Sequence, residues 1–462
     1  MGERYDLCVI GAGTAGFSAA GVARAHNRSV LLVSGHGELG GTCIRRGCMP
    51  AKTLLSSTER LGTVAKSDQL GLRVEAERLD LRAVVARKRE LVDYFAEDRV
   101  HEIESYPLAR GRARFVSPQA IEVDGRYVEA TSFVIATGSH VVRPDVGGFA
   151  AGDFMTSDDA LEMTHVPASL AVLGGGPVGC EFAQYFARLG TRVTLLQAEA
   201  TLLRKEDADV GEAIARALVA DGVDVRVGTT LDSVARGSDG DRSRTIVHTD
   251  RAGTHTLHVA AIMLASNRVP NIGSLQLDVA GVAHDLGGVR VDAALRTSNP
   301  HIFAAGDVIG RRYLVHVAEY AGRLAARNAL DGRDEPADFD RFEAHAVYTQ
   351  PQVAIAGLTE DACRERGLNV RVRRHPFADI GKAVVSDMAT GFVKMLADGS
   401  GRIRGVAIVG EDAIDLIGEA IAFIDRGATT REVAEMPHLH PTMGEIFARV
   451  AEEFEAAPAP VG

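Results

Sequence analysis

Residues 40–52, GGTCIRRGCMPAK, place Cys43 and Cys48 in a glycine-rich run that leads into a helical pattern. Such a pair can staple a loop, bind a metal, or open and close as a redox dithiol. Five residues of straight α-helix rise about 7.5 Å, beyond the usual ~4.4–6.8 Å Cα separation of a disulfide. Cys43 is therefore expected in a turn or a distorted first helical turn, with Gly47 permitting the bend. Pro50 suits the first turn of the helix that follows. Cys48 then falls near a helix N-terminus with Arg45, Arg46 and Lys52 close in sequence, and positive potential there favours thiolate. Zinc needs about four ligands, and no Cys or His cluster with ligand spacing lies nearby, so no metal site is expected. Closing so short a loop would stabilise little. The pair reads as a working dithiol. Cys8, in a strand pattern, and Cys180 and Cys363, in helical ones, read as small buried hydrophobes.

Two glycine runs could hold nucleotides. GAGTAG follows the strand YDLCVI, and GGGPVG follows SLAVL. Gly11, Gly13 and Gly16 have the spacing that lets backbone amides and a helix dipole approach a pyrophosphate, as do Gly174, Gly176 and Gly179. Each run opens a helix that leads to a further strand, so each is a βαβ unit. Together they imply two dinucleotides. The acidic ribose ligand expected after each second strand is absent: Ser34 ends the first such strand and Gln197 the second. Arg204 and Lys205 follow Gln197. They are either a solvated helix start or partners of an NADP 2′-phosphate, so the coenzyme reads as NAD(P) with a lean to NADP. A last constellation, HLHPTMGE, joins His438, His440 and Glu445. A histidine held by a carboxylate can move protons near neutral pH, although a capped surface helix has the same pattern.

These residues sit in a chain of 462 amino acids, enough for about three domains. Between the two nucleotide units lie a helical stretch (52–104), the strand-like RARFVS and IEVDGRYVEA, and the apolar strand SFVIATGSHVVRP with Ala136-Thr137-Gly138. HIFAAGDVIG is another apolar strand, closed by Gly306-Asp307, and DGRDEPADFD reads as a linker. Beyond it, strands HAVYTQPQVAIAG, VRVRRHPF, GFVKMLAD and IRGVAIVG alternate with helices TEDACRERG and AIDLIGEAIAFIDRG, as in a third, α+β domain. The tail AAPAPVG reads as disordered. The formal charge of −11 argues against a nucleic-acid or anionic-membrane partner. No apolar run approaches the ~18 residues of a membrane span. The N-terminus lacks signal-peptide anatomy, and five cysteines in so long a chain form no disulfide framework. A cytoplasmic protein is expected.

Taken in order, GAGTAG, GGTCIRRGCMPAK, ATG, GGGPVGCEF, AAGD and HPT make the chain resemble, end to end, the class I FAD-dependent pyridine nucleotide–disulfide oxidoreductases. Dihydrolipoamide dehydrogenase, glutathione reductase and mercuric reductase belong to that family. The resemblance implies an α/β fold with two Rossmann-like dinucleotide-binding domains and a C-terminal α+β dimerisation domain. FAD would occupy 1–147 with 272–337, NAD(P) would occupy 148–271, and 338–462 would form the interface of a homodimer. It implies FAD contacts at Gly11, Gly13, Gly16, Thr42, Lys52, Thr137, Gly138, Gly306 and Asp307. Gly174, Gly176, Gly179, Glu181, Arg204 and Arg268 would lie on the NAD(P) or flavin side, with Lys52 and Glu181 as an ion pair. Cys48 would face the flavin, Cys43 would exchange with substrate, and His440, oriented by Glu445, would act across the dimer as acid/base. His438 receives no role.

The chain departs from the family at Arg45-Arg46, where many relatives carry Asn-Val, which could alter thiol pKa or substrate charge preference. It departs again at Ser34, for which Glu38 could substitute. The last cysteine is Cys363, so the C-terminal cysteine pair usual in mercuric reductases is missing, and the substrate arginine of glutathione reductases is absent from the first turn. GCMPAK and HLHPTMGE look most like dihydrolipoamide dehydrogenase, implying a small-molecule or lipoyl dithiol/disulfide substrate and leaving a multienzyme-complex partner open. The alternatives are a reductase of another small disulfide or oxidant, or a flavin-binding structural subunit without turnover.

Overall fold

The computed structural model describes residues 3–65, 67–74, 79–142, 154–237, 243–265 and 268–455. The tail read as disordered lies outside the described residues. The chain divides into two compact units. One gathers residues 1–53, 83–144 and 267–339, and the other 54–82, 145–266 and 340–462.

The first unit is built on a seven-stranded sheet. The opening strand Glu3–Ile10 lies parallel to both Val30–Ser34 and Arg126–Ile135, and Ile302–Ala304 also runs parallel to Arg126–Ile135. Leu7, Cys8 and Val9 are fully buried, as are Leu31, Phe133 and Ile302. That two-sided burial is why these strands read as continuous apolar runs. The segment IEVDGRYVEA is a hairpin, with Ala120–Val123 antiparallel to Arg126–Ile135. Asp124 and Gly125 supply the positive φ values (45° and 87°) that a two-residue turn needs. The carboxyl ends of the parallel strands converge: Ala136 N donates to Ile10 O and Ala305 N to Ile135 O.

The second unit holds a parallel four-stranded sheet, ordered Asp224–Arg226, Arg192–Leu196, Ser169–Leu173, Ala261–Leu264. It also holds a three-stranded antiparallel sheet (Thr230–Arg236, Arg244–Asp250, Gly253–Val259) and a five-stranded antiparallel one. The run HAVYTQPQVAIAG, expected as one strand, forms two. Ala344–Val347 turns back on Gln352–Gly357, because Pro351 has no N–H to continue a ladder. Ile403–Gly410, Phe392–Asp398 and Val370–Pro376 complete that sheet. Helices Ala413–Arg426 and Glu445–Glu455 bury Ile417, Phe423, Phe447 and Phe454 in its core.

Candidate active site

In the first unit the dithiol loop is built against the first glycine turn. Gly11 has φ +119°, and a Cβ there would lie 2.2 Å from Ala136 O. A Cβ on Gly16 would lie 1.8 Å from Gly11 O, so only glycine lets helix Thr14–Ala25 start this close to the strand. Gly13, the N-cap, is different: a Cβ there meets nothing within 4 Å, and no side chain caps the helix N–H groups. The open space over unpaired amides is what a pyrophosphate requires. Gly41, at φ +81°, packs so near that its Cβ would come within 3.0 Å of Gly13 Cα. The cysteine loop therefore touches the turn itself.

Cys43 occupies a short helical segment, Gly41–Arg45, and Cys48 starts the helix Cys48–Ala65. The expected interruption between them exists, but Gly47 acts by lacking a side chain rather than by a positive φ. A Cβ there would stand 3.0 Å from Thr42 O and 3.2 Å from Cys43 Cα. Both sulfurs are thiols and half-buried. The hydrogen bond to Cys48, and secondarily burial, holds the Cys43 thiol well above the usual range. Arg45 does not serve as a loose charge beside the sulfurs. Its Nε donates to Leu39 O at 2.9 Å and its Nη1 pairs with Asp93 at 3.0 Å, closing the loop. Thr42 and Arg46 are exposed, and Lys52 lies one turn into the helix after Cys48. Cys8, Cys180 and Cys363 are fully buried, and burial raises all three thiols.

Gly306, at φ +79°, abuts Ala15, with 3.0 Å from its Cβ position to the Ala15 Cβ. Burial raises the Asp307 carboxyl, partly offset by the 2.6 Å hydrogen bond from Ser139 Oγ and by Arg268. Arg268 donates to Ser139 Oγ and O at 2.9 and 2.8 Å, within the first unit. Thr137 and Gly138 are clamped to Asn271 through Thr137 Oγ1 to Asn271 O (2.7 Å) and Asn271 N to Gly138 O (2.9 Å). Glu38 is exposed in the loop after Ser34. Ser139 and Asn271 were missed in the sequence, where nothing but their position beside ATG and Arg268 marks them.

In the second unit the other glycine turn repeats the plan. Gly174 has φ +113°, Gly179 would clash with Gly174 O at 1.8 Å if it carried a Cβ, and Gly176 again faces open space at the N-cap of helix Pro177–Arg188. Gln197, where an acid was expected, accepts from Gly175 N at 2.9 Å. It braces the turn. Glu181 is buried on that helix, its Oε1 accepting from Tyr348 N at 2.9 Å. Arg204 is 63% exposed, 4.0 Å from Glu199, and Lys205 is exposed.

His440 and Glu445 are brought together. His440 Nδ1 lies 2.8 Å from Glu445 Oε1, while Glu445 Oε2 accepts from Thr442 N at 2.9 Å. The His440 bond first, then the Thr442 amide, lowers the Glu445 carboxyl below its usual range. The carboxylate fixes the tautomer that leaves His440 Nε2 to exchange protons, on a side chain 77% exposed. His438 is nearly buried, its Nδ1 facing Met436 O and its Nε2 facing Glu419 Oε1. No group of three or more metal-ligating side chains occurs among the described residues.

Residues 5–322 match the family model described as pyridine nucleotide-disulphide oxidoreductase, and 344–451 match the dimerisation domain of the same proteins. The chain is 35% identical over 448 residues to a mercuric reductase of Bacillus cereus, covering 96% of this chain and 70% of that protein. It is 35% identical over 457 residues to a dihydrolipoyl dehydrogenase of Thermus scotoductus, covering 97% of each. Among solved structures it is similar to the HOCl-induced flavoprotein disulfide reductase RclA from Escherichia coli, with TM-score 0.83 and 27% identity over 97% of this chain and 99% of that one.

Proposed function

The chain belongs to the pyridine nucleotide-disulphide oxidoreductases, which are FAD-dependent and use NAD(P)H, and on that premise we propose a dithiol–disulfide oxidoreductase with dihydrolipoamide or a like small dithiol as substrate. One observation carries the reading: the hydrogen-bonded Cys43–Cys48 pair sits in a loop whose Gly41 touches Gly13. Redox-active sulfurs are thereby built onto a nucleotide turn.

FAD would be held by the Gly11–Gly16 turn, Thr42, Lys52, Thr137, Gly138, Gly306, Asp307 and Arg268. NAD(P) would be held by the Gly174–Gly179 turn and Arg204. Both glycine turns fit, since each leaves a Cβ-sized space above unpaired helix amides. When bound, FAD supplies the electron-pair link between coenzyme and dithiol.

The residues of the chain then perform the exchange. Because Cys43 is held as a thiol, it needs a base, and His440 of the partner subunit takes that proton at Nε2. Cys43 attacks one sulfur of a substrate disulfide. The departing thiolate receives the proton back from His440. Cys48 then attacks Cys43, its proton passing to the second substrate sulfur, which leaves as a thiol, and the Cys43–Cys48 disulfide remains. Oxidation of a dithiol runs the same steps in reverse. The matched dimerisation domain supports a homodimer, and exposure of His440 suits a partner surface. A reducing cytoplasm suits a cycling dithiol, and no helix among the described residues is long and apolar enough to cross a membrane.

The mercuric reductase relatives favour a second reading, in which the same dithiol presents its sulfurs to a soft metal ion. A steady-state panel separates the two: dihydrolipoamide with NAD+ or NADP+, then lipoamide, glutathione disulfide and Hg(II) with NADH or NADPH. Turnover is expected with the lipoyl pair. Turnover with Hg(II) alone would transfer the assignment to the second reading, and no turnover by FAD-loaded protein would leave a structural subunit.

A further inference from the structure

Lys394 lies in the strand Phe392–Asp398, whose run FVKMLAD is otherwise apolar before its last residue. Its side chain is 2% exposed, and Nζ meets Asp207 Oδ2 and Asp209 Oδ1 at 2.7 Å and Glu360 Oε1 at 2.9 Å. Burial alone would lower this lysine, but the three carboxylates outweigh it and raise it. Asp207 spends its other oxygen on Glu360 N at 3.0 Å. One residue earlier, Glu206 Oε1 is 2.7 Å from His345 Nε2, on the strand Ala344–Val347 of the same five-stranded sheet. Two strands of the C-terminal sheet thus fasten residues 206–209.

The other end of that segment supports the second glycine turn. Leu203 N donates to Gly175 O at 2.8 Å. Leu202 fills the place a Gly175 side chain would take, 2.5 Å from that Cβ position, and Gly211 leaves room for Leu202 O, 2.3 Å from its own. Arg204 and Lys205 lie between the two fastenings. A buried ion cluster contributes little net stability, so its use here is geometric.

We propose that Lys394, assisted by His345, is a positioning residue for the coenzyme: it anchors residues 202–209 and so fixes both the Gly174–Gly179 turn and the Arg204-Lys205 pair for a nicotinamide dinucleotide. This rests on the NAD(P) reading of the second turn. With Lys394 removed, three carboxylates face one another and the segment must move off the sheet, taking Leu202 and Leu203 from beneath Gly175.

The test uses FAD-loaded protein titrated calorimetrically with NADP+ and with NAD+, alongside steady-state KM and kcat for coenzyme and for the disulfide found active. Lys394→Gln is expected to weaken coenzyme Kd and raise coenzyme KM by about tenfold, with the disulfide KM within about twofold. Lys394→Arg should recover most of the affinity, which general damage to the fold would not permit. If Lys394→Gln does not yield folded protein, His345→Leu removes the donor to Glu206 and should show the same selective loss. Folded, FAD-replete variants with unchanged coenzyme Kd overturn the anchor, as does an equal shift in both KM values. Wild-type protein that binds neither coenzyme overturns the nucleotide reading itself, and the anchor with it. Loss in Lys394→Gln but not in Arg204→Ala keeps the anchor and discards the role of Arg204.

Discussion

The two glycine turns share a backbone and differ in what stands behind them. In each, the first glycine takes a φ near +115° (119° and 113°), the second faces open space, and the third would strike the first glycine's carbonyl at 1.8 Å with any side chain. The first turn is backed by the cysteine loop through Gly41. The second is backed by Gln197 and by Leu202–Leu203, and the one cysteine beside it, Cys180, is fully buried. Equal geometry with unequal backing teaches that the motif specifies only a phosphate-sized space. The surrounding segments differ: one turn has a cysteine pair against it and the other a glutamine brace.

The comparison breaks most severely at the third glycines. Gly16→Ala and Gly179→Ala each force a Cβ into a backbone carbonyl, at a cost of about 3 kcal/mol or more, and both should lower Tm or abolish soluble expression. Equal tolerance of alanine at either site would refute the shared geometry. The second glycines separate the two roles. Gly13→Ala and Gly176→Ala should stay within about 1 kcal/mol of wild type in chemical denaturation. Gly13→Ala should lose FAD and Gly176→Ala should lose coenzyme affinity, each by about tenfold or more, which is 1.4 kcal/mol. Loss of the same ligand in both variants would collapse the distinction.

Gln197 sharpens it further. Gln197→Leu leaves Gly175 N–H unpaired in a buried place and should cost about 1–3 kcal/mol, with weaker coenzyme binding and FAD content unchanged. The smallest effect lies outside both turns, at Glu445. Its folded carboxyl titrates below the usual value of 4.5, so the His440–Glu445 interaction is fully present above that value and lost only as pH falls through the depressed one. In an NMR titration of the His440 ring, wild type should hold the Glu445 contact to lower pH than an ordinary carboxylate allows. Glu445→Gln should remove that acid limb. An unchanged limb would separate the two residues.

Much of this was legible in the sequence because it rests on local rules. Gly11, Gly16, Gly174 and Gly179 are needed by a strand–turn–helix corner wherever one occurs, and Cys43 and Cys48 stand out by their spacing and by the glycine, proline and basic residues beside them. What escaped was tertiary. Gln197 read only as a missing acid, since nothing local shows its amide turned to Gly175. Arg45 read as a charge beside the thiols, whereas its partner Asp93 is distant in sequence. Lys394 did leave a trace, a lysine inside an apolar strand run, but its three carboxylates come from two other segments. Gly47 was assigned a bend, while its function is contact with Thr42 and Cys43. The hairpin at Pro351 was fused into one strand because both halves are apolar.

The sulfur pair is tested most directly by counting thiols. The chain has five cysteines, three of them buried away from the loop. Alkylation under denaturing conditions should find three free thiols in the air-oxidised FAD-loaded protein and five after anaerobic reduction by NADH or NADPH, with the added two mapped to Cys43 and Cys48. The same count in both states, or a change at any other cysteine, would contradict the account.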